Sequence, residues 1–223
     1  MKKLVLSIAI FAIQITITFA QNAKFQEAMG KALSSMSTAK TADDWKANAN
    51  AFARIANAEP TEWLPKFYAA QCRLFAGYEL TKSNMPEAQD LAKAALTEIQ
   101  AAEKIAPMET ELMVLEAFTY QLQLIENPMA NGQKYSPMIF QTLGKAEAIN
   151  PNNPRIYSIR GMFTANMPEF YGGGIAKATP DIKKAALLFE TFKPASPLHP
   201  TWGKERNDSA LKMVEEKATP SKG

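Results

Sequence analysis

One cysteine, one histidine and a run of three glycines are the residues of this 223-residue chain whose types invite chemistry. Cys72 would be a nucleophile if a base stood beside it to take its proton. The one histidine, His199, lies far along the chain between Leu198 and Pro200, in a stretch that reads as a turn. Around Cys72 the sequence Ala69-Ala70-Gln71-Cys72-Arg73-Leu74 reads as the middle of a helix, where a thiol packs as a small apolar group. A single Cys and a single His exclude a Cys/His zinc cluster and a disulfide within the chain. Gly172-Gly173-Gly174 has the freedom to cradle a phosphate at a helix start. It lacks the Lys-Ser/Thr that completes a nucleotide loop, and it follows a helical pattern, not a strand. With Pro168-Glu169-Phe170-Tyr171 before it, the run reads as a chain reversal that could also shape a ligand surface. Asp43-Asp44, Glu109 and Glu111 fall where helices begin, and there carboxylates cap free N–H groups and favour the helix dipole. No calcium loop and no His-Glu-x-x-His motif is present. The expectation is therefore no catalytic set, no metal site and no cofactor.

The elements that would carry these residues are helical. The chain holds 36 Ala and only three Val, and five of its fifteen Ile fall within the first twenty residues. Ala is the best helix former, and buried strands draw on β-branched residues, so a β-sandwich, a barrel and a parallel α/β sheet are disfavoured. Apolar residues recurring at three and four positions predict helices near 22–37, 43–58, 63–81, 87–106, 109–126, 136–149, 154–166, 180–192 and 202–217. Glu59-Pro60, Ala106-Pro107, Asn127-Pro128 and Asn150-Pro151 mark stops between them.

The chain opens on Met1-Lys2-Lys3, runs uncharged from Leu4 to Phe19 and reaches small Ala20 before Gln21. That is the order of a secretory signal peptide cleaved after Ala20, and its 16-residue apolar run is short for a membrane span. No cysteine follows the cleavage site, so a lipoprotein is not expected. The reading is a periplasmic or secreted product with no membrane span once the leader is removed. Two of the 25 basic residues leave with the leader, so 23 face 22 acids and the charge falls from +3 to +1. With no basic run interleaved with aromatics, a nucleic-acid partner is not expected.

Three of the breaks are related. Pro60, Pro107 and Pro151 each close an Ala-rich helix, at spacings of 47 and 44 residues. Aligned on them, Ile55, Ala102 and Ala146 fall five before the proline, Phe52, Ile99 and Leu143 eight before, and Ala70, Ala117 and Gly161 ten after. Small residues at close helix contacts thus alternate with larger ones that fill the seam. The pattern resembles the tetratricopeptide repeat, a helix–turn–helix unit, best at Ala95-x3-Ile99-x2-Ala102-x4-Pro107, next at Leu143-x2-Ala146-x4-Pro151 and Tyr157-x3-Gly161. Phe52…Pro60 with Trp63-Leu64-Pro65-Lys66-Phe67-Tyr68-Ala69-Ala70 is a looser copy. The likeness covers about residues 43 to 165, and the periods carry about ten residues more than the usual 34. Trp63-Leu64-Pro65 and Tyr171-Gly172-Gly173-Gly174 are also similar to segments of secreted bacterial proteins of this type.

The resemblance implies an all-α fold: a right-handed α-α superhelix or solenoid of helix hairpins, about nine helices, with irregular repeat length. It makes residues 21–216 one domain, leaving 217–223 as a disordered tail. It also implies that the first helix of each pair lines a concave face, which makes Gln71, Gln121 and Arg155 candidate binding residues. Tyr171, Gly172, Gly173 and Gly174 are candidates from the glycine loop. The function expected is an exported, non-enzymatic scaffold that binds a protein or peptide. The alternative is an envelope enzyme or small-ligand binder using a cleft near 167–178.

Overall fold

The computed structural model describes residues 23–218. The leader read in residues 1–20 and the last five residues lie outside them. Among the described residues the architecture is all-α, without strands. Helix α1 covers 23–36. It is followed by α2 (Ala42–Ala58), α3 (Leu64–Leu80), α4 (Met85–Glu103), α5 (Thr110–Ile125), α6 (Pro128–Ile149), α7 (Pro154–Asn166), a 3-10 turn (Glu169–Tyr171), α8 (Ile175–Thr191) and α9 (Lys204–Ala218). Helix α9 therefore continues through Lys217 and Ala218, two residues into the segment read as a tail.

Caps explain most starts. Thr41 and Asp44 close a reciprocal capping box at α2. Asn84, Asn127 and Asn153 each accept a backbone N–H at the start of α4, α6 and α7, with proline in the first turn. Two helices begin earlier than the starts predicted near 136 and 180. Helix α6 runs from Pro128 with Pro137 inside it, and α8 runs from Ile175 with Pro180 inside it. An internal proline removes one ladder hydrogen bond. The Asn127 cap and the propagation of a helix already begun outweigh that loss at α6. Residues 128–135, outside the helices predicted from the periodicity, are thus the first part of a 22-residue helix.

Consecutive helices pack as hairpins, α3 with α4, α5 with α6 and α7 with α8, while α3 also touches α5 and α5 touches α7. The first helices of the pairs therefore form a continuous inner row, and the whole is an irregular superhelical stack. Ala70, Ala102, Ala117 and Ala146 are all fully buried between helices. Gly161 on α7 belongs to the same set, because a Cβ there would stand 2.8 Å from the Ile182 side chain of α8. The core is one body of apolar side chains, with Phe52, Phe67, Phe118, Ile99 and Leu143 fully enclosed.

An ionic clamp fastens the last hairpin. Arg160 on α7 donates to both carboxylate oxygens of Asp181 on α8, at 2.7 and 2.9 Å, and to Glu147 on α6 at 2.5 Å. The hydrogen bond from Arg160 holds the Glu147 carboxyl below its ordinary 4.5, with the Tyr157 hydroxyl and Lys184 adding to it. A carboxyl with a depressed folded value contributes stability above about 4.5, and loses it as pH falls through the lower folded value. Glu147→Gln is accordingly expected to lower stability at neutral pH and to flatten the loss below about 4.5. Urea midpoints measured across that range check it, and parallel curves for the two proteins would refute it.

Candidate ligand-binding site

The segment between α8 and α9 determines where a ligand could enter. Residues 192–203 turn back over the inner row and are fastened to each of its helices. From α3, the Tyr68 hydroxyl donates to the Leu198 carbonyl at 2.8 Å. From α5, Phe118 stacks on Trp202 with ring centres 6.1 Å apart and planes 7° from parallel. From α7, Arg155 donates to the Pro200 carbonyl at 3.0 Å, and its guanidinium lies 4.5 Å from the Phe192 ring and 5.5 Å from that of Trp202. The chain's own strap thus occupies the inner row at α5 and α7.

At the α3 end an open cavity of about 940 Å³ remains. It is bounded by the end of α1 (Leu33, Met36), by Trp45 of α2, by one side of α3 (Tyr68, Gln71, Phe75, Tyr78) and by the strap and first turn of α9 (His199, Trp202, Arg206). One wall is aromatic and continuous. Trp45 meets Phe75 edge-on at 5.1 Å, and Phe75 meets Trp202 edge-on at 6.1 Å. Within it lies Gln71, fully buried, with neither amide atom hydrogen-bonded to the protein. The indole N–H of Trp202 is buried and unpartnered as well. A buried amide left unpaired costs about 1–3 kcal/mol, so such groups are tolerated where something else satisfies them.

Cationic groups stand at the mouth. Lys204 is engaged by Glu190 at 2.8 Å and by Asp208 at 3.3 Å. Arg206 has no carboxylate partner among the described residues; its guanidinium lies 4.4 Å from the Phe118 ring and 5.7 Å from that of Tyr78. The two phenols that line the cavity are both tied down, Tyr68 to Leu198 and Tyr78 to the Phe118 carbonyl at 3.3 Å. Burial pushes both phenols well above their ordinary value. His199 presents its ring with Nδ1 2.7 Å from the Ser196 hydroxyl and with Trp63 packed edge-on at 5.6 Å.

The seven residues singled out from the sequence are distributed over three places. Gln71 lines the cavity. Gln121 is buried, donating to the Ile159 carbonyl of α7 at 3.3 Å. Arg155 is fully buried, paired with Glu111 at 3.0 Å beneath the strap. Tyr171, Gly172, Gly173 and Gly174 form the α7–α8 loop, away from the cavity. There Gly172 and Gly174 take φ of 87° and 100°, the region in which side chains are strained, and the Gly174 N–H is fixed to the Thr164 carbonyl at 2.9 Å. Tyr171 and Phe170 stand exposed on its outer side, ring centres 4.1 Å apart. Trp45, Phe75, Trp202, His199 and Arg206 were not read as site residues. For Phe75 the sequence signal is the density of aromatics on 63–78, which also fits a core; Trp45 and the strap and α9 residues lie outside that stretch.

No protein-family model matches this sequence, and no curated protein does. The chain is similar in architecture to the solved HusA haemophore from Porphyromonas gingivalis, which superposes with a TM-score of 0.78, covering 89% of this chain and 96% of that one. The fold is that of HusA. Sequence identity with HusA is 23%, so the likeness speaks for the architecture and its near-complete span. Among the described residues no helix is long and apolar enough to cross a membrane.

Proposed function

We propose that this protein is an exported, non-enzymatic carrier that binds one flat, largely apolar small molecule of the haem class in the α1–α3/α9 cavity. The observation that carries the reading is the cavity itself: an aromatic wall built from Trp45, Phe75 and Trp202 around a buried, unpartnered Gln71. Ligand sites are concave, mostly apolar and furnished with a few convergent polar groups, and this volume lies in their range. Arg206, without a carboxylate of its own, suits an acidic substituent at the rim. The name of HusA, a haemophore, indicates the ligand class. The leader in the sequence supports export. A protein or peptide laid along the inner row is the weaker reading, because segment 198–202 already lies against α5 and α7.

The test is titration of the mature protein with iron protoporphyrin, followed by tryptophan fluorescence, since Trp45 and Trp202 line the cavity. Saturable quenching at one ligand per chain is the expected result; quenching that never saturates would sink the proposal. Gln71→Leu adds a second readout. Removing a buried unpaired amide is expected to raise the stability of the ligand-free protein by about 1 kcal/mol, while loss of its contact weakens ligand binding about tenfold. A variant that is both less stable and undiminished in binding would show that Gln71 serves the fold alone.

A further inference from the structure

We infer that the turn between α7 and α8 and the outer face of α8 dock the protein on an anionic phospholipid surface. Three large apolar side chains that face water lie on this stretch: Phe170 is 79% exposed, Tyr171 63% and Leu187 73%. Met108 and Met129, exposed as well, stand singly before and after α5. Single apolar residues are ordinary on a surface, whereas a concentration of them marks a contact. The stretch lies outside the lining of the cavity, so the inference does not rest on the ligand proposed for it.

The turn is built to hold its rings outward. The Tyr171 and Gly173 N–H groups both donate to the Pro168 carbonyl, at 3.0 and 3.1 Å, and the Gly172 N–H donates to that of Glu169 at 2.8 Å. A Cβ at Gly173 would stand 2.1 Å from the Met167 carbonyl oxygen, so the reversal is too tight for any side chain there. Phe170 and Tyr171 lean on one another, ring centres 4.1 Å apart, and neither is buried. Along α8 the buried side carries Ile182, Ala185 and Phe189. On the opposite, exposed side Leu187 falls between Lys183 and Lys184 around the helix axis, with Lys177 two turns before Lys184.

The charge on this side is basic. Lys177 brings its ammonium to 4.0 Å from the place of a Gly172 Cβ, and neither Lys177 nor Lys183 has a carboxylate partner among the described residues. Lys184 stands 3.8 Å from Glu147 and 3.9 Å from the centre of the Tyr157 ring. Of the acids, Asp181 is taken by Arg160 and Glu190 by Lys204. Glu169 turns its carboxylate toward Gly174, at a start of α8 that has no side-chain cap.

A lipid surface suits this ridge better than a protein does. The three apolar side chains present less than the roughly 800 Å² that each partner of a stable protein complex buries, and they protrude instead of lining a groove. A bilayer needs no matching shape. Aromatic rings settle among its headgroups, and lysines keep their charge at its surface while their stems cover apolar groups. Anionic headgroups attract such lysines. Residues 21–223 carry 23 basic and 22 acidic side chains, so no net negative charge on the body opposes the approach.

The experiment floats the mature protein with vesicles of phosphatidylcholine alone or mixed with an equal share of phosphatidylglycerol. The wild type is expected to bind the mixed vesicles about tenfold or more tightly than the neutral ones, and added salt should weaken that binding. Phe170→Ala with Tyr171→Ala is expected to weaken binding to mixed vesicles about tenfold. Lys177→Gln with Lys183→Gln should remove most of the preference for mixed over neutral vesicles. Lys31→Gln with Lys93→Gln makes the same change of charge on α1 and α4 and should leave binding as in the wild type. Urea midpoints close to that of the wild type show that the variants are folded. A wild type that stays off both vesicles overturns the inference, and so does an aromatic variant that binds undiminished. Equal weakening by the two lysine pairs would reduce the effect to net charge and refute the docking face. If the wild type stays off the vesicles and doubles its mass in solution, and Phe170→Ala with Tyr171→Ala returns it to a monomer, the ridge belongs to a second copy of the chain.

Discussion

Replacing Arg155 with alanine is expected to cost about 3–5 kcal/mol of unfolding free energy, read from urea denaturation. The guanidinium is fully buried and donates to Glu111 at 3.0 Å and to the Pro200 carbonyl at 3.0 Å. Glu111 is buried too, and its other partner is the Asn153 amide at 2.9 Å. Truncation leaves the carboxylate in the interior without its counter-charge, which is where most of the loss arises. It also frees the Pro200 carbonyl and removes the flat cation between Phe192 and Trp202, so the strap over α5 and α7 loosens. Arg155→Lys is not a rescue, because the three donors of an ammonium radiate from one nitrogen, whereas the guanidinium reaches the carboxylate through Nη1 and the carbonyl through Nη2. The double replacement Arg155→Met with Glu111→Leu should recover much of the loss, because Arg155 Nε and Glu111 Oε2 are unpartnered and an apolar pair avoids burying them. A single-variant loss below about 1 kcal/mol would mean that the pair does not hold the strap.

Glu111 also shows how far the sequence carried the fold. Near a helix start, it reads as an acid that favours the dipole, and Glu109 does serve that end by accepting the Glu111 N–H at 3.1 Å. What Glu111 itself does depends on an arginine 44 positions away. The helices and their order follow from local signals: asparagine and threonine caps, prolines in first turns, and alanines at Ala70, Ala102, Ala117 and Ala146 where neighbours approach. The starts of α6 and α8 lie earlier than predicted, and Pro137 and Pro180 are accommodated because a proline one or two turns inside a well-started helix removes a hydrogen bond without ending the helix. The cavity was not legible because its walls meet only when the strap folds back. The Tyr68–Leu198 bond alone spans 130 positions. Gln71 was reachable through the repeat, which puts it on a first helix. Trp202 and His199 belong to no repeat, so no alignment of repeats could find them.

The second large effect is expected at Trp202, where the strap and the cavity share one side chain. Its ring stacks on Phe118, meets Phe75 edge-on and faces the Arg155 guanidinium, while part of it lines the cavity. Trp202→Ala removes a large aromatic from between two others and a cation, and a loss of about 3 kcal/mol in stability is expected. The same change takes away one end of the aromatic wall, so porphyrin affinity should fall by more than the tenfold expected for Gln71→Leu. Trp202→Phe separates the two roles. It keeps a ring against Phe118 and in the cavity wall but lacks the indole N–H, which has no protein partner. Most of the stability should return with phenylalanine; the affinity should return only in part if that N–H serves the ligand. Denaturation and porphyrin titration on the same three proteins read the two quantities independently. Affinity that follows stability in strict proportion through the series would place Trp202 in the scaffold and not in the site, and would move the search for polar recognition back to Gln71 and Arg206.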